Sequence, residues 1–128
     1  MTTPADELRT AAKTLREHAQ DATPGPWRQH DTHLDLGGHT ATVLSGKGNE
    51  TELRAWLPTM SHEPWDETRN AWANASYMAL MDPRVGHALA DWLDHHANIL
   101  TAATQYDPDS NLARPALKVA RALNGDAR

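Results

Sequence analysis

The apolar positions near the start of the chain repeat with the period of an α-helix. Arg9 and Lys13 fall on the face opposite the apolar residues. Thr3 followed by Pro4 is typical of a helix start, and Pro24 of a helix end. The pattern therefore predicts a first helix that buries Leu8, Ala11, Ala12, Leu15, Ala19 and Ala22.

From residue 27 to residue 57 the helical period disappears and a period of two takes its place. Leu34 and Leu36 alternate with polar neighbours, which predicts a strand. Gly37-Gly38 is typical of a hairpin turn, so residues 39–44 are expected to return antiparallel. A third strand is expected where the apolar Leu53, Ala55 and Leu57 alternate with Glu52, Arg54 and Trp56.

Three more helices are predicted, over residues 66–81, 83–104 and 115–124. Asp82-Pro83 provides an N-cap and a first-turn proline, so the second and third helices are expected to form an antiparallel hairpin. Ala75 and Met78 should then share a core with residues of the third helix. The apolar face of that third helix is expected to contain Val85, Ala88, Leu89, Trp92, Ile99 and Leu100.

These elements predict an α+β fold with about four helices packed on a small antiparallel sheet, which consists of a hairpin and a third strand. The length suits one domain over residues 1–128. Within it we expect an N-terminal helix over 1–23, the sheet over 27–57 and a helical half over 66–124.

Composition narrows the class of protein. The chain has no cysteine, which excludes a disulfide framework and any thiolate metal site. The formal charge of −5 argues against direct nucleic-acid binding, which needs clustered Lys and Arg. No apolar run approaches the ~18 residues of a membrane span, and the acidic N-terminus is unlike a signal peptide. We therefore expect a cytoplasmic protein without a membrane partner.

Several segments together carry a resemblance to a known group. They are Ala22-Thr23-Pro24-Gly25-Pro26-Trp27, Asn74-Ala75-Ser76-Tyr77-Met78-Ala79, Asp82-Pro83, Ala88-Leu89-Ala90-Asp91-Trp92-Leu93 and the run 115–123. In this order they resemble uncharacterised small proteins of actinobacteria and their phages, and more distantly the early-region accessory proteins of lambda-like phages. The resemblance implies a cytoplasmic accessory protein, with no catalytic residue to carry over.

One strand could supply metal ligands or acid/base groups. Asp31, His33 and Asp35 share a face of an extended strand, and His30 and His39 lie near them. The alternative interpretation is the polar face of a half-buried sheet. Because no recognised ligand pattern is complete, we predict no metal and no cofactor, and keep His30, Asp31, His33 and Asp35 as the alternative metal set.

The third helix contains two other histidine arrangements. His87, Asp91 and His95 recur at intervals of four, but no Glu stands where a zinc-protease signature needs one. A solvated, ion-paired face explains them equally well. His96 projects among apolar positions, which is typical either of a hydrogen-bonded core histidine or of a buried ligand.

Two tryptophans lie where the pattern does not require burial. Trp56 is on the polar side of its strand, and Trp65 lies among prolines and acidic residues. Exposed tryptophans often mark interfaces, although each could instead cover one end of a small core. We predict Trp56 and Trp65 as the candidate binding residues.

The sequence leaves three functions open. The first is a non-enzymatic phage or mobile-element accessory protein that binds an unknown protein partner or a second copy of itself as a homodimer. The second is a small metal-dependent enzyme that uses the strand from His30 to Asp35. The third is an acidic mimic of DNA that occupies a nucleic-acid-binding protein.

Overall fold

The computed structural model describes residues 2–33, 39–57, 66–102, 110 and 113–125. It confirms the α+β fold with four helices and a three-stranded antiparallel sheet. Within the described ranges no helix has the length and apolar character needed to cross a membrane. In chain order the elements are α1 (Pro4–Asp21), β1 (Trp27–His33), β2 (His39–Ser45), a 3-10 turn (Gly48–Glu50), β3 (Glu52–Leu57), α2 (Asp66–Leu80), α3 (Pro83–Ala102) and α4 (Arg114–Leu123).

Backbone contacts divide the chain into two compact units. The first, here called the helical unit, contains Met1–Ala22 and Gly86–Arg128. The second, here called the sheet unit, contains Thr23–Val85 and therefore includes α2. The prediction of one domain over residues 1–128 stays a prediction.

The helical unit has a core made largely of alanine. The start of α1 is fixed by a capping box, in which the Thr3 side chain accepts from the Asp6 N–H and the Asp6 carboxylate accepts from the Thr3 N–H. Small side chains let helices approach closely: a Cβ on Gly86 would lie 3.3 Å from that of Ala19. The buried residues are Leu8, Ala11, Ala12, Ala90, Leu93, Ala97, Ala116, Leu117 and Ala120.

The face that α3 buries differs from the predicted one. Its fully buried residues are Ala90, Leu93 and Ala97, whereas Ala88 is exposed. Trp92 and Leu100 are only partly buried beside this cluster. The helix has apolar residues around most of its circumference, so periodicity did not decide between neighbouring stripes.

The sheet unit has strand order β1-β2-β3, with both pairs antiparallel. The first strand lies earlier than predicted, over Trp27–His33, and the expected turn at Gly37-Gly38 lies outside the described residues. Helix α2 packs on one face of the sheet, which we call the inner face. The residues of this second core are Ala41, Val43, Leu57, Ala71, Ala75 and Ala79, with Trp27, Ala55 and Trp72 partly buried against them.

A β-bulge in β3 changes which side Leu53 occupies. Val43 pairs with Ala55, but the next residue of β2, Leu44, pairs with Leu53, so Arg54 is the extra residue. Without this insertion Leu53 would share the inner face with Ala55, as the alternating pattern predicted. The bulge places Leu53 instead on the face opposite α2.

Two further predictions about α2 were wrong. Met78 was expected in the core but is exposed. Ala75 and Trp92 were expected to share a core, but Ala75 belongs to the sheet cluster and Trp92 packs against the helical cluster. Since α2 faces the sheet through three alanines, with Trp72 partly buried beside them, Tyr77, Met78 and Leu80 are left exposed.

Asp82 holds the sheet unit together at the corner before β1. Its buried carboxylate accepts from the backbone N–H of Trp27 at 3.0 Å and from that of Arg84 at 3.0 Å, which confirms it as the N-cap of α3. Gly25 lies so close that an added Cβ would be 2.5 Å from Asp82 Oδ2. The Gly25-Pro26 peptide bond is cis.

Candidate functional site

The face of the sheet opposite α2 gathers the exposed residues with the clearest binding character. We call it the outer face. Strand alternation and the observed pairing assign residues to it, and the side-chain contact between Thr32 and Thr42 at 2.9 Å agrees with that assignment. It consists of Arg28, His30, Thr32, Thr40, Thr42, Leu44, Leu53 and Trp56.

Trp56 and Leu53 form the apolar part of the outer face. Trp56 is 63% exposed and Leu53 is 54% exposed, although both lie in β3, next to the central strand. The bulge at Arg54 is what turns both side chains to the same side. Two large apolar side chains exposed on the same face of a strand are typical of a binding surface rather than of a core.

The bulge itself is fixed by polar contacts. Arg54 Nη1 donates to Thr23 Oγ1 at 2.6 Å, and its Nη2 pairs with the carboxylate of Glu52. The Nε of Arg54 is buried and has no hydrogen-bond partner among the described residues. The guanidinium therefore ties the extra residue of β3 to the corner that precedes β1.

Arg28 provides the positive charge of the outer face. Its Nη1 donates to the carbonyl of Gly46 at 2.6 Å and its Nη2 to Thr51 Oγ1 at 3.3 Å. These contacts hold the guanidinium beside an open cleft of about 720 Å³ between residues 23–28 and the loop 45–52. Lys47, Glu50 and Glu52 also line the cleft, so its charge is balanced.

The alternative metal set is divided by the strand. His30 is on the outer face and Asp31 on the inner face, because adjacent strand residues point to opposite sides. His33 is the last residue of β1, and Asp35 lies outside the described residues. Across the hairpin, Asp31 Oδ2 contacts His39 Nδ1 at 2.8 Å. In the described part of the chain no three His, Asp or Glu side chains are grouped for a metal.

Both carboxylates of α3 form ion pairs with one arginine. Arg16 of α1 donates to Asp91 at 3.1 Å and to Asp94 at 2.9 Å. The hydrogen bonds from Arg16 to these two carboxylates raise the pKa of Arg16. His87 and His95 do not join Asp91 in a metal-binding group. This face is therefore ion-paired, as one of the two interpretations predicted.

His96 has an unusual environment within the helical unit. Its ring contacts Trp92 edge to face, with 5.2 Å between ring centroids. Its Nδ1 is buried and has no hydrogen-bond partner in the described ranges, which does not fit the interpretation as a hydrogen-bonded core histidine. Burial, and then the nearby charge of His95, lower the pKa of His96.

Of the two predicted binding residues, Trp65 lies outside the described residues. Sequence analysis missed a second exposed apolar group, at the end of α2. Tyr77 is 65% exposed and Leu80 is 69% exposed, with Met81 beside them. The signal that could have revealed them is the alanine stripe of α2, because a helix whose fully buried positions are all alanines leaves most of its larger apolar residues on other sides.

Compared with known proteins, the chain matches no family model, no curated protein and no solved structure. The resemblance to phage accessory proteins therefore stays a prediction, and the chemistry of the outer face carries the functional argument.

Proposed function

We propose that this chain is a non-enzymatic binding protein that engages a protein partner through the outer face of its sheet. The observation that supports this most is that Trp56 and Leu53 are both exposed on the same face of β3. Tryptophan is among the residues most enriched at the centres of protein interfaces. Burying two such side chains would stabilise a complex by a few kcal/mol at about 25 cal/mol per Å² of apolar area.

The biological setting is part of the same proposal. The resemblance of the helical segments supports an accessory protein of a phage or mobile element of actinobacteria, acting in the cytoplasm. A second copy of the chain is the simplest alternative partner for the same surface. Sedimentation of the purified protein at micromolar concentration separates a self-associating chain from one that needs a foreign partner.

Matched variants test the role of the outer face. Wild type, Trp56→Ala and Tyr77→Ala would each be immobilised and exposed to the same host extract, and bound proteins quantified by mass spectrometry. Trp56→Ala is expected to reduce the bound amount of one protein at least about tenfold, since an interface tryptophan contributes ~2 kcal/mol or more to binding. Tyr77→Ala, which removes an equally exposed aromatic ring from α2, should retain it.

Stability measurements keep this test interpretable. Because Trp56 is exposed, Trp56→Ala should change the free energy of unfolding by less than about 1 kcal/mol. An unchanged set of bound proteins in a folded Trp56→Ala variant would contradict the proposed function.

A further inference from the structure

Resting on the proposed function, we infer that the partner presents an extended acidic segment to the outer face. An apolar side chain of the segment would pack on Trp56 and Leu53, and a carboxylate would pair with Arg28. This defines the chemical class of the partner, and it follows from the distribution of charge over the sheet.

The two faces of the sheet carry different ionisable residues. The ionisable residues of the outer face are Arg28 and His30. The carboxylates of the described strands, Asp31 and Glu52, pair with Ala41 and Ser45 and so lie on the inner side. Among the described strand residues, the outer face therefore carries Arg28 and His30 and no carboxylate, and the nearest described carboxylates, Glu50 and Glu52, line the cleft beside Arg28.

Arg28 is arranged to bind a carboxylate. Its two contacts, to Gly46 and Thr51, use neutral oxygen acceptors, and in the described ranges Arg28 is in no salt bridge. A guanidinium has five N–H donors, so donors remain for a bidentate pair with a carboxylate. The contacts to the loop also restrict the side chain, which lowers the entropy lost when a ligand binds.

The distance between Arg28 and Trp56 determines how far apart the acidic and apolar residues of the bound segment should be. Arg28 on β1 and Trp56 on β3 are separated by the central strand β2. Strands lie about 4.8 Å apart, so the two side chains originate roughly 10–12 Å apart. An extended peptide advances about 3.3 Å per residue and its side chains alternate between two sides, so the acidic residue should lie about four positions from the apolar residue, on the same side of the peptide.

Two other occupants fit less well. A second copy would bring its own Arg28 and His30 toward this face without supplying a carboxylate from its outer face. A nucleic acid needs several cations to neutralise neighbouring phosphates, whereas the described part of this face has one arginine and the chain has a net charge of −5. An acidic peptide requires one charge partner and one apolar contact, which the outer face supplies.

Synthetic peptides test the inference directly. The probe is a short Ser/Gly peptide with one Leu and, four positions later, one Glu; its counterpart has Lys in place of Glu. Titrations followed by the backbone amide resonances of β1 and β3 give both affinities. The Glu peptide is expected to bind the wild-type protein at least about fivefold more tightly, as one charge pair of ~1 kcal/mol implies.

Two variants with the same change in net charge separate a local effect from a general one. Arg28→Gln should reduce the preference for the Glu peptide to about onefold, while Lys118→Gln, an exposed residue of α4, should leave it unchanged. Raising the salt concentration should weaken the preference as well. The melting temperature of each variant confirms that it is folded.

The outcomes distinguish this inference from the proposed function. If Trp56→Ala abolishes binding but the Glu and Lys peptides bind equally, the function stands and the acidic segment is wrong. If neither peptide binds, the inference is also wrong. It is equally overturned by a Trp56-dependent dimer in sedimentation, or by tighter Trp56-dependent binding of an oligothymidine than of the Glu peptide.

Discussion

The carboxylate of Asp82 accepts a hydrogen bond from the backbone N–H of Trp27 at 3.0 Å, across 55 positions of sequence. The same carboxylate caps α3 through the Arg84 N–H and receives the Arg84 guanidinium at 2.9 Å. One buried side chain thus fixes where β1 begins and where α3 begins. The outer face depends on this joint, because Arg28 directly follows Trp27 in the strand.

Replacing Asp82 should therefore destabilise the protein strongly. Asp82→Ala removes a helix cap and leaves the partly buried Trp27 N–H without its acceptor, so we expect a loss of ~3 kcal/mol in the free energy of unfolding. Asp91→Ala, which removes the exposed partner of Arg16, should cost less than about 1 kcal/mol. Urea unfolding of both variants measures this, and equal losses would show that Asp82 does not have the structural role assigned to it.

Asp82 should also make stability depend on pH in the acid range. Burial alone would raise the pKa of Asp82, but hydrogen bonds from Arg84 and from the Trp27 N–H outweigh it and lower the pKa below its ordinary 3.8. The unfolded chain then takes up the proton at a higher pH than the folded chain does. The stabilisation is complete above the ordinary value and is lost as the pH falls through the lower folded value.

The comparison of wild type with Asp82→Asn isolates this effect. The difference in unfolding free energy between the two should narrow as the pH is lowered below about 4. A difference that stays constant down to pH ~2 would show that the pKa of Asp82 is not lowered in the folded protein.

The two glycines Gly25 and Gly86 provide a matched pair. In Gly25→Ala the new methyl group would lie 2.5 Å from Asp82 Oδ2, so the corner must shift. We expect this shift to lower the free energy of unfolding by about 2 kcal/mol. In Gly86→Ala the methyl group would meet Ala19 Cβ at 3.3 Å, and the gain in helix propensity of up to ~1 kcal/mol offsets the crowding. Thermal unfolding should thus show a large loss of stability for Gly25→Ala and a change in stability below about 1 kcal/mol for Gly86→Ala. Equal effects would contradict the tight contact at Gly25.

His96 should titrate below the ordinary histidine value. Burial disfavours its charged form, and the neighbouring His95 adds to this, so the pKa of His96 is lowered from 6.5. As the pH falls below that value, the unfolded chain binds the proton first and the folded state loses stability. An NMR titration of the ring protons measures the midpoint, and His96→Gln should show a weaker loss of stability between pH 7 and 5. A midpoint above 6.5 would indicate an acceptor for the ring that the structure does not show.

The sequence by itself determined most of the secondary structure. The helix start at Thr3 and Pro4, and the junction at Asp82 and Pro83, follow from backbone chemistry that acts over a few residues. The buried face of α1 followed from its single apolar stripe. The exposure of Trp56 agreed with its place on the polar side of an alternating strand.

Tertiary structure decided which surfaces meet. Helix α3 has more than one apolar stripe, so only packing selected Ala90, Leu93 and Ala97. The side of Leu53 depends on one extra residue, Arg54, whose guanidinium bonds to Thr23 about thirty positions away, and a period of two cannot reveal such an insertion. Periodicity records which residues share a side of an element, whereas the partner of each side is set by contacts between segments far apart in the chain.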